Sequence, residues 1–172
     1  MPTVIHWLDT NVFIQAKNGP YRFKVAPGFW AFLDEQIHAG NIRCPKMVYD
    51  ELITNEAPRD DLALWVKNRR QSGLFVPATR PVQKVMSTVA DHVVGKYQQH
   101  QAAEFLRGAD PWLIAHALYS KGVVVTHESD RKFNAKKVRI PNVCGDLHVS
   151  CVDTYEMLER LGAEFGTASR KK

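Results

Sequence analysis

The feature that most constrains the fold stands at the start of the chain. Val4-Ile5-His6-Trp7-Leu8 is apolar and then stops abruptly at Asp9-Thr10-Asn11. Five such residues read as a buried strand, where Asp is disfavoured by propensity. The strand therefore delivers a carboxylate, a hydroxyl and an amide to its carboxyl end. The same construction returns at Val123-Val124-Val125, followed by Thr126-His127-Glu128. A β-branched run without polar alternation suits a strand covered on both faces, as in parallel sheets. In open parallel α/β sheets, ligands bind just outside the carboxyl ends of the strands.

The intervening sequence supplies the rest of such a sheet. Ile42-Arg43-Cys44-Pro45, Leu74-Phe75-Val76 and Val149 to Val152 read as further strands. Phe29, Trp30, Phe32, Leu33 and Ile37 recur at helical spacing within Pro27 to Ala39, which Gly40-Asn41 closes. A second helix starts near Pro45 and carries Met47, Val48, Glu51 and Leu52. Asp60 or Asp61 can cap a third, with Leu62, Leu64, Trp65 and Val66. Val82, Val85, Met86, Val89 and Val93 form the cleanest helical stripe, which Tyr97 to Phe105 either continues or follows with a separate helix. Asp110-Pro111 has the pattern of an N-cap with proline at the first helical position, and Lys121-Gly122 closes that helix. Asp153 caps a last helix bearing Tyr155, Leu158 and Leu161.

Strands separated by helices predict an α/β fold, a central parallel sheet with helices on both sides. With 172 residues and no internal repeat or linker, residues 1–165 read as a single domain and 166–172 as a basic tail. Tyr21-Arg22-Phe23-Lys24, between breaks at Asn18-Gly19-Pro20 and Pro27-Gly28, reads as a loop packed over the core; a surface that stacks on RNA is the sharper alternative.

Composition excludes several classes. The longest apolar runs are far short of a membrane span, and no basic stretch precedes an apolar one at the N-terminus, so a cytoplasmic location is expected. Cys44, Cys144 and Cys151 are odd in number and unevenly spaced, against a disulfide framework. Without CxxC or HExxH, a zinc site is not indicated. Arg170, Lys171 and Lys172 supply three of the five net positive charges, leaving +2 for the rest, a weak nucleic-acid signal.

The acids carry the chemistry. Taken alone, Asp110 is a helix cap, Glu51 a solvated helix residue and Glu128 a loop acid with which Asp130 competes. Taken together, Asp9, Asp110 and Glu128 fall at strand ends or a helix start, on one rim of the expected sheet. Glu51 borders the apolar stripe of its own helix. Carboxylates gathered there repel by roughly 4 kcal/mol per pair at 4 Å in an effective dielectric near 20, which only protons or a cation relieve. Oxygen ligands without Cys or His favour Mg2+ or Mn2+. A pair of such ions about 3.5–4 Å apart can activate water and stabilise the departing oxygen at phosphorus. Thr126 would orient an acid from behind. His6, His116 and His127 are weaker candidates for proton transfer, and Lys17, Arg59 or Lys132 for gripping phosphates.

Leu8-Asp9-Thr10-Asn11, Tyr49-Asp50-Glu51-Leu52, Ala109-Asp110-Pro111-Trp112-Leu113-Ile114-Ala115 and Val124-Val125-Thr126-His127-Glu128 resemble the four acidic motifs of PIN-domain ribonucleases, in order and spacing over nearly the whole chain. That family includes the toxins of VapBC-type toxin–antitoxin pairs, and the Asp-Pro and Thr-His-Glu forms are similar to a less-studied bacterial branch. The resemblance implies a three-layer α/β/α fold, Mg2+ or Mn2+ dependence, cleavage of single-stranded RNA, homodimers and an inhibitory antitoxin protein. It matches Asp9, Glu51 and Asp110 to the first three acids and Glu128 to the fourth as catalytic residues, with Asp9, Asp110 and Glu128 as metal ligands. Glu128 stands where the family has Asp, so Asp130 stays open as the fourth. Thr10, Asn11 and Thr126 are accessory. The expected activity is that of a metal-dependent endoribonuclease, the toxin of such a pair. The alternatives are a catalytically silent RNA- or partner-binding module and a structure-specific DNA nuclease.

Overall fold

The computed structural model describes residues 4–55, 57, 59–129 and 137–165. Asp130, Lys132 and the tail 166–172 lie outside these described residues. The strands are β1 (His6–Leu8), β2 (Ile42–Pro45), β3 (Phe75–Val76), β4 (Val123–Val125) and β5 (Ser150–Val152). All are parallel, in the order β3-β2-β1-β4-β5. Each falls where the apolar runs predict: β2 and β4 with the expected bounds, β1, β3 and β5 trimmed at the start by a residue or two.

The pleat of the central strands explains the layering. Successive side chains of a strand point to opposite faces. Leu8, Val123 and Val125 enter one hydrophobic core, whereas Trp7 and Val124 enter another. The first core is closed by α1 (Thr10–Asn18), α2 (Pro27–Ala39), α3 (Lys46–Asn55), α4 (Asp61–Asn68) and α9 (Thr154–Arg160). They contribute Val12, Phe13, Phe29, Trp30, Leu33, Leu52, Trp65, Met157 and Leu158. The second is closed by α5 (Arg80–Lys96), α6 (Gln99–Arg107), α7 (Asp110–Ser120) and α8 (Ile140–Asp146), through Val89, Val93, Phe105, Leu113, Ile114 and Val143. The result is a three-layer α/β/α arrangement, as the sequence predicts. Among the described residues, no helix is long and apolar enough to cross a membrane.

Local chemistry sets the helix boundaries. Asp60 caps α4 by accepting from the Leu62 amide at 2.8 Å. Asp153 caps α9 through the Glu156 amide, also at 2.8 Å. The polar stretch after α5 is a separate helix. Gln98 and Gln101 bond reciprocally across its first turn, which starts α6 afresh. α7 begins one residue earlier than the Asp-Pro pattern predicts: Ala109 occupies the cap position in helical conformation, and Asp110 is in the first turn without a capping bond. Two helices carry no clear periodic signal. α1 opens on polar Thr10-Asn11 and buries only Val12, Phe13 and Ala16 beside Thr10, and seven-residue α8 contains Pro141 and Gly145, both breaker signals. The Tyr21–Lys24 loop packs on the core: Tyr21 stacks on Phe29 at 4.2 Å and Phe23 on Trp30 at 3.8 Å.

The junction before β4 is tight. Lys121 adopts a left-handed conformation (φ 54°) to end α7. Gly122 then passes so close to β1 that a Cβ there would lie 2.6 Å from the Ile5 carbonyl oxygen and 2.9 Å from the Trp7 ring. Cys44, Cys144 and Cys151 are free thiols.

Candidate active site

Sheet order creates the site. From β1 the chain proceeds outward to β2 and β3, then returns to place β4 on the other side of β1. That reversal leaves a crevice at the carboxyl ends of β1 and β4. Leu8 pairs with Val125, and Val125 with Val152, so the residues that follow emerge side by side. The Asp9 amide donates to the Val125 carbonyl at 3.0 Å, and the Thr126 amide to the Val152 carbonyl at 3.0 Å.

From these positions a continuous set of hydrogen bonds ties the predicted acids together. Thr126 donates its hydroxyl to Asp9 Oδ2 at 2.9 Å and accepts the Glu128 amide at 3.1 Å. The neighbour of Asp9, Thr10, donates to Glu51 Oε2 at 2.6 Å. The other oxygen of Glu51 accepts the Ala109 amide at 2.8 Å, bringing α3 to the start of α7 and to Asp110. Glu128 Oε2 accepts the Ile140 amide at 2.8 Å. Asp9, Glu51, Asp110 and Glu128, spread over 120 positions of sequence, thus occupy one crevice. Asn11 is exposed on α1.

The electrostatics follow from crowding and burial. Asp9 is 2% exposed and Thr126 likewise 2%. Burial, reinforced by the charges of Glu128 and Glu51 and opposed by the Thr126 hydroxyl, raises the Asp9 carboxyl from 3.8 to about 6. Asp110 rises to about 7, again mainly through burial, then through Asp9, Glu128 and Glu51; Lys137 pulls the other way. Glu51, Asp110 and Lys137 line a cleft of about 120 Å3 with Gln101, Glu104 and Gly108. A Cβ at Gly108 would lie 3.4 Å from Glu51 Oε1, in ordinary van der Waals contact with the carboxylate.

The donor set suits a hard divalent cation: carboxylate oxygens, no sulfur, and charges that lack a cationic partner in hydrogen-bonding contact among the described residues. The side chains are not already drawn around one point. No group of three acids, cysteines or histidines among the described residues has ligand geometry as it stands. Glu51 and Glu128 are instead turned to backbone amides, and holding an ion would require one or both to rotate.

Other predicted residues are placed elsewhere. His6 and His116 are buried, and His116 lies against the Trp7 ring at 4.6 Å with its pKa lowered by burial to about 4. Neither lines the cleft beside Asp110. Lys17 is tied to Asp60 at 3.0 Å. Lys137 is instead the basic residue beside Asp110; the sequence marks it only as part of a basic stretch. Glu104, which shares the cleft, lies in a polar helix with no distinguishing signal. His127 bonds Thr154 Oγ1 at 2.9 Å and lines a neighbouring cavity.

Comparison with known proteins agrees with the architecture. A family model described as "Domain of unknown function (DUF4411)" matches residues 6–165. No curated protein matches the chain. Among solved structures the chain is similar to one titled "Crystal Structure of FitAcB from Neisseria gonorrhoeae", with a TM-score of 0.53 and 17% identity over 88% of this chain and 99% of that one. At that identity the likeness concerns the fold, which is PIN-like.

Proposed function

The chain belongs to the DUF4411 family, and we propose that this member is a divalent-metal-dependent endoribonuclease that cuts single-stranded RNA. The observation that carries this reading is the joining of Asp9, Glu51, Asp110 and Glu128 in one crevice at the sheet's switch point. Asp9, Asp110 and Glu128 would hold Mg2+ or Mn2+, with Glu51 holding an ion or a water beside it. A bound ion supplies Lewis-acid activation of water and neutralises charge on the phosphate. The chain's own residues supply orientation. Thr126 fixes the Asp9 carboxylate and Thr10 fixes Glu51, while Lys137 is positioned to meet a phosphate oxygen. The fold and the four motifs further support a role as the toxin of a toxin–antitoxin pair, with an antitoxin protein as partner, a homodimeric state and action in the cytoplasm.

The test is cleavage of labelled single-stranded RNA in Mg2+ and in Mn2+. Wild type should cleave and Asp9→Asn should not, with both melting cooperatively. Equal activity in the two would reject the assignment. The turning of Glu51 and Glu128 toward amides favours a second reading, a silent RNA- or partner-binding module. RNA binding without cleavage in either metal would select it, and offering flapped DNA beside RNA separates a structure-specific DNA nuclease.

A further inference from the structure

A second cavity, of about 310 Å3, opens beside the acids. Its walls include Gln15 and Asn18 of α1, Tyr21, His127, Thr154 and Tyr155. Two segments of the chain run from the crevice to its walls. His127 sits between Thr126, which holds Asp9, and Glu128. α1 begins at Thr10 in the crevice, and at 1.5 Å per residue Gln15 and Asn18 lie about 8–12 Å further along.

The chemistry of the walls is specific. Tyr21 is stacked on Phe29 with only 8° between the rings, so it is held rigidly. The His127 ring is fixed by Thr154 at 2.9 Å. Tyr155 stands roughly perpendicular to it, 6.5 Å between centroids and 76° apart, and is 55% exposed. Exposed amides of Gln15 and Asn18 add both donors and acceptors at the rim. Among the described residues, no Lys, Arg, Asp or Glu lines the cavity. Flat rings to stack on, amides to read an edge and no charge together suit a neutral planar heterocycle rather than a free anion.

We propose that this cavity receives an unstacked nucleobase of single-stranded RNA and gives the enzyme a sequence preference. The proposal rests on the ribonuclease reading of the acids. Even stacked nucleotides advance about 3.4 Å each, so the base read here lies no more than about three nucleotides from the bond at the acids.

The experiment has two arms. In the first, a random single-stranded RNA pool is cleaved in Mn2+ by wild type, Tyr155→Ala, Tyr155→Phe and Gln15→Ala, and the cut sites are sequenced. Wild type should show a base preference at one position offset from the cut. Tyr155→Ala should flatten that preference and raise KM by about 5- to 150-fold, with kcat little changed. Tyr155→Phe should retain both properties, since it keeps the ring. In the second arm, Asp9→Asn and Asp9→Asn/Tyr155→Ala are titrated with labelled single-stranded RNA, and the Tyr155 change should weaken binding to a similar degree. Cleavage and binding unaffected by Tyr155→Ala would overturn the base pocket and leave the nuclease standing. Tyr155-dependent binding with no cleavage in any metal would remove the nuclease and leave the pocket. No RNA binding at all would overturn the pocket proposal.

Discussion

Thr126 joins two of the acids. It donates to Asp9 and accepts from the Glu128 amide while itself almost wholly buried. Thr126→Val keeps the shape and removes both bonds. It should lower divalent-dependent cleavage by roughly 10- to 100-fold, the cost usual for losing a group that orients a metal ligand, with a smaller effect on RNA binding. Protonation gives a second prediction. Asp9 and Asp110 have folded pKa values of about 6 and about 7 against 3.8. Between those limits the folded chain holds protons that the unfolded chain has released, so stability declines as pH rises from about 4 to 7. Without added divalent ions, the stability should be lower at pH 8 than at pH 5 by an amount on the order of 4 kcal/mol, and the melting temperature lower with it. Asp110→Asn should remove part of this decline, which thermal melts across pH can measure. The ion requires both groups deprotonated, so cleavage at subsaturating Mn2+ should climb from pH 5.5 to 8. Asp9, Asp110 and Glu128 were legible in the sequence because each interrupts an apolar or helix-starting pattern. Glu51 was legible only beside the others, and Lys137 and Glu104 were not singled out, because an exposed charge on a polar stretch leaves no local mark.

At the scale of the element, the junction of α7 with β4 is the least forgiving. Gly122→Ala would drive a methyl into the Ile5 carbonyl and the Trp7 indole. Overpacking of this kind costs about 1–3 kcal/mol, a fall of roughly 2–12 °C in melting temperature for a chain of this size. Trp7 also donates to Ser120 at 2.8 Å and lies against His116, so the displacement would disturb α7 as well. The strands and the long helices could be read from periodicity because burial imposes it. α1 and α8 could not: one begins on polar residues whose hydroxyl serves Glu51, and the other is short and holds Pro141 and Gly145. The start of α7 was misplaced by a residue for a related reason. Asp before Pro usually caps, but here Ala109 takes the cap position and its amide is given to Glu51.

For the molecule as a whole, binding of a divalent ion and stability are linked. An ion that engages Asp9 and Asp110 only when folded should raise stability by about 2.7 kcal/mol at a hundred times its Kd. The shift should be larger at pH 8 than at pH 5, and Asp9→Asn should abolish it; scanning calorimetry with and without Mn2+ measures this apart from any catalysis. The fold class was legible because apolar strand runs alternate with helical stripes over the whole chain. The strand order was not, since nothing local says on which side of β1 the returning strand will settle. The alternation that sends Trp7 to one hydrophobic layer and Leu8 to the other also sets the phase of Asp9. Inserting or deleting a single residue between Val4 and Leu8 would turn one layer inside out and carry the first acid away from its companions at the same stroke. Length variation among related chains should therefore be absent from this segment and collect in surface turns such as the one around Arg22.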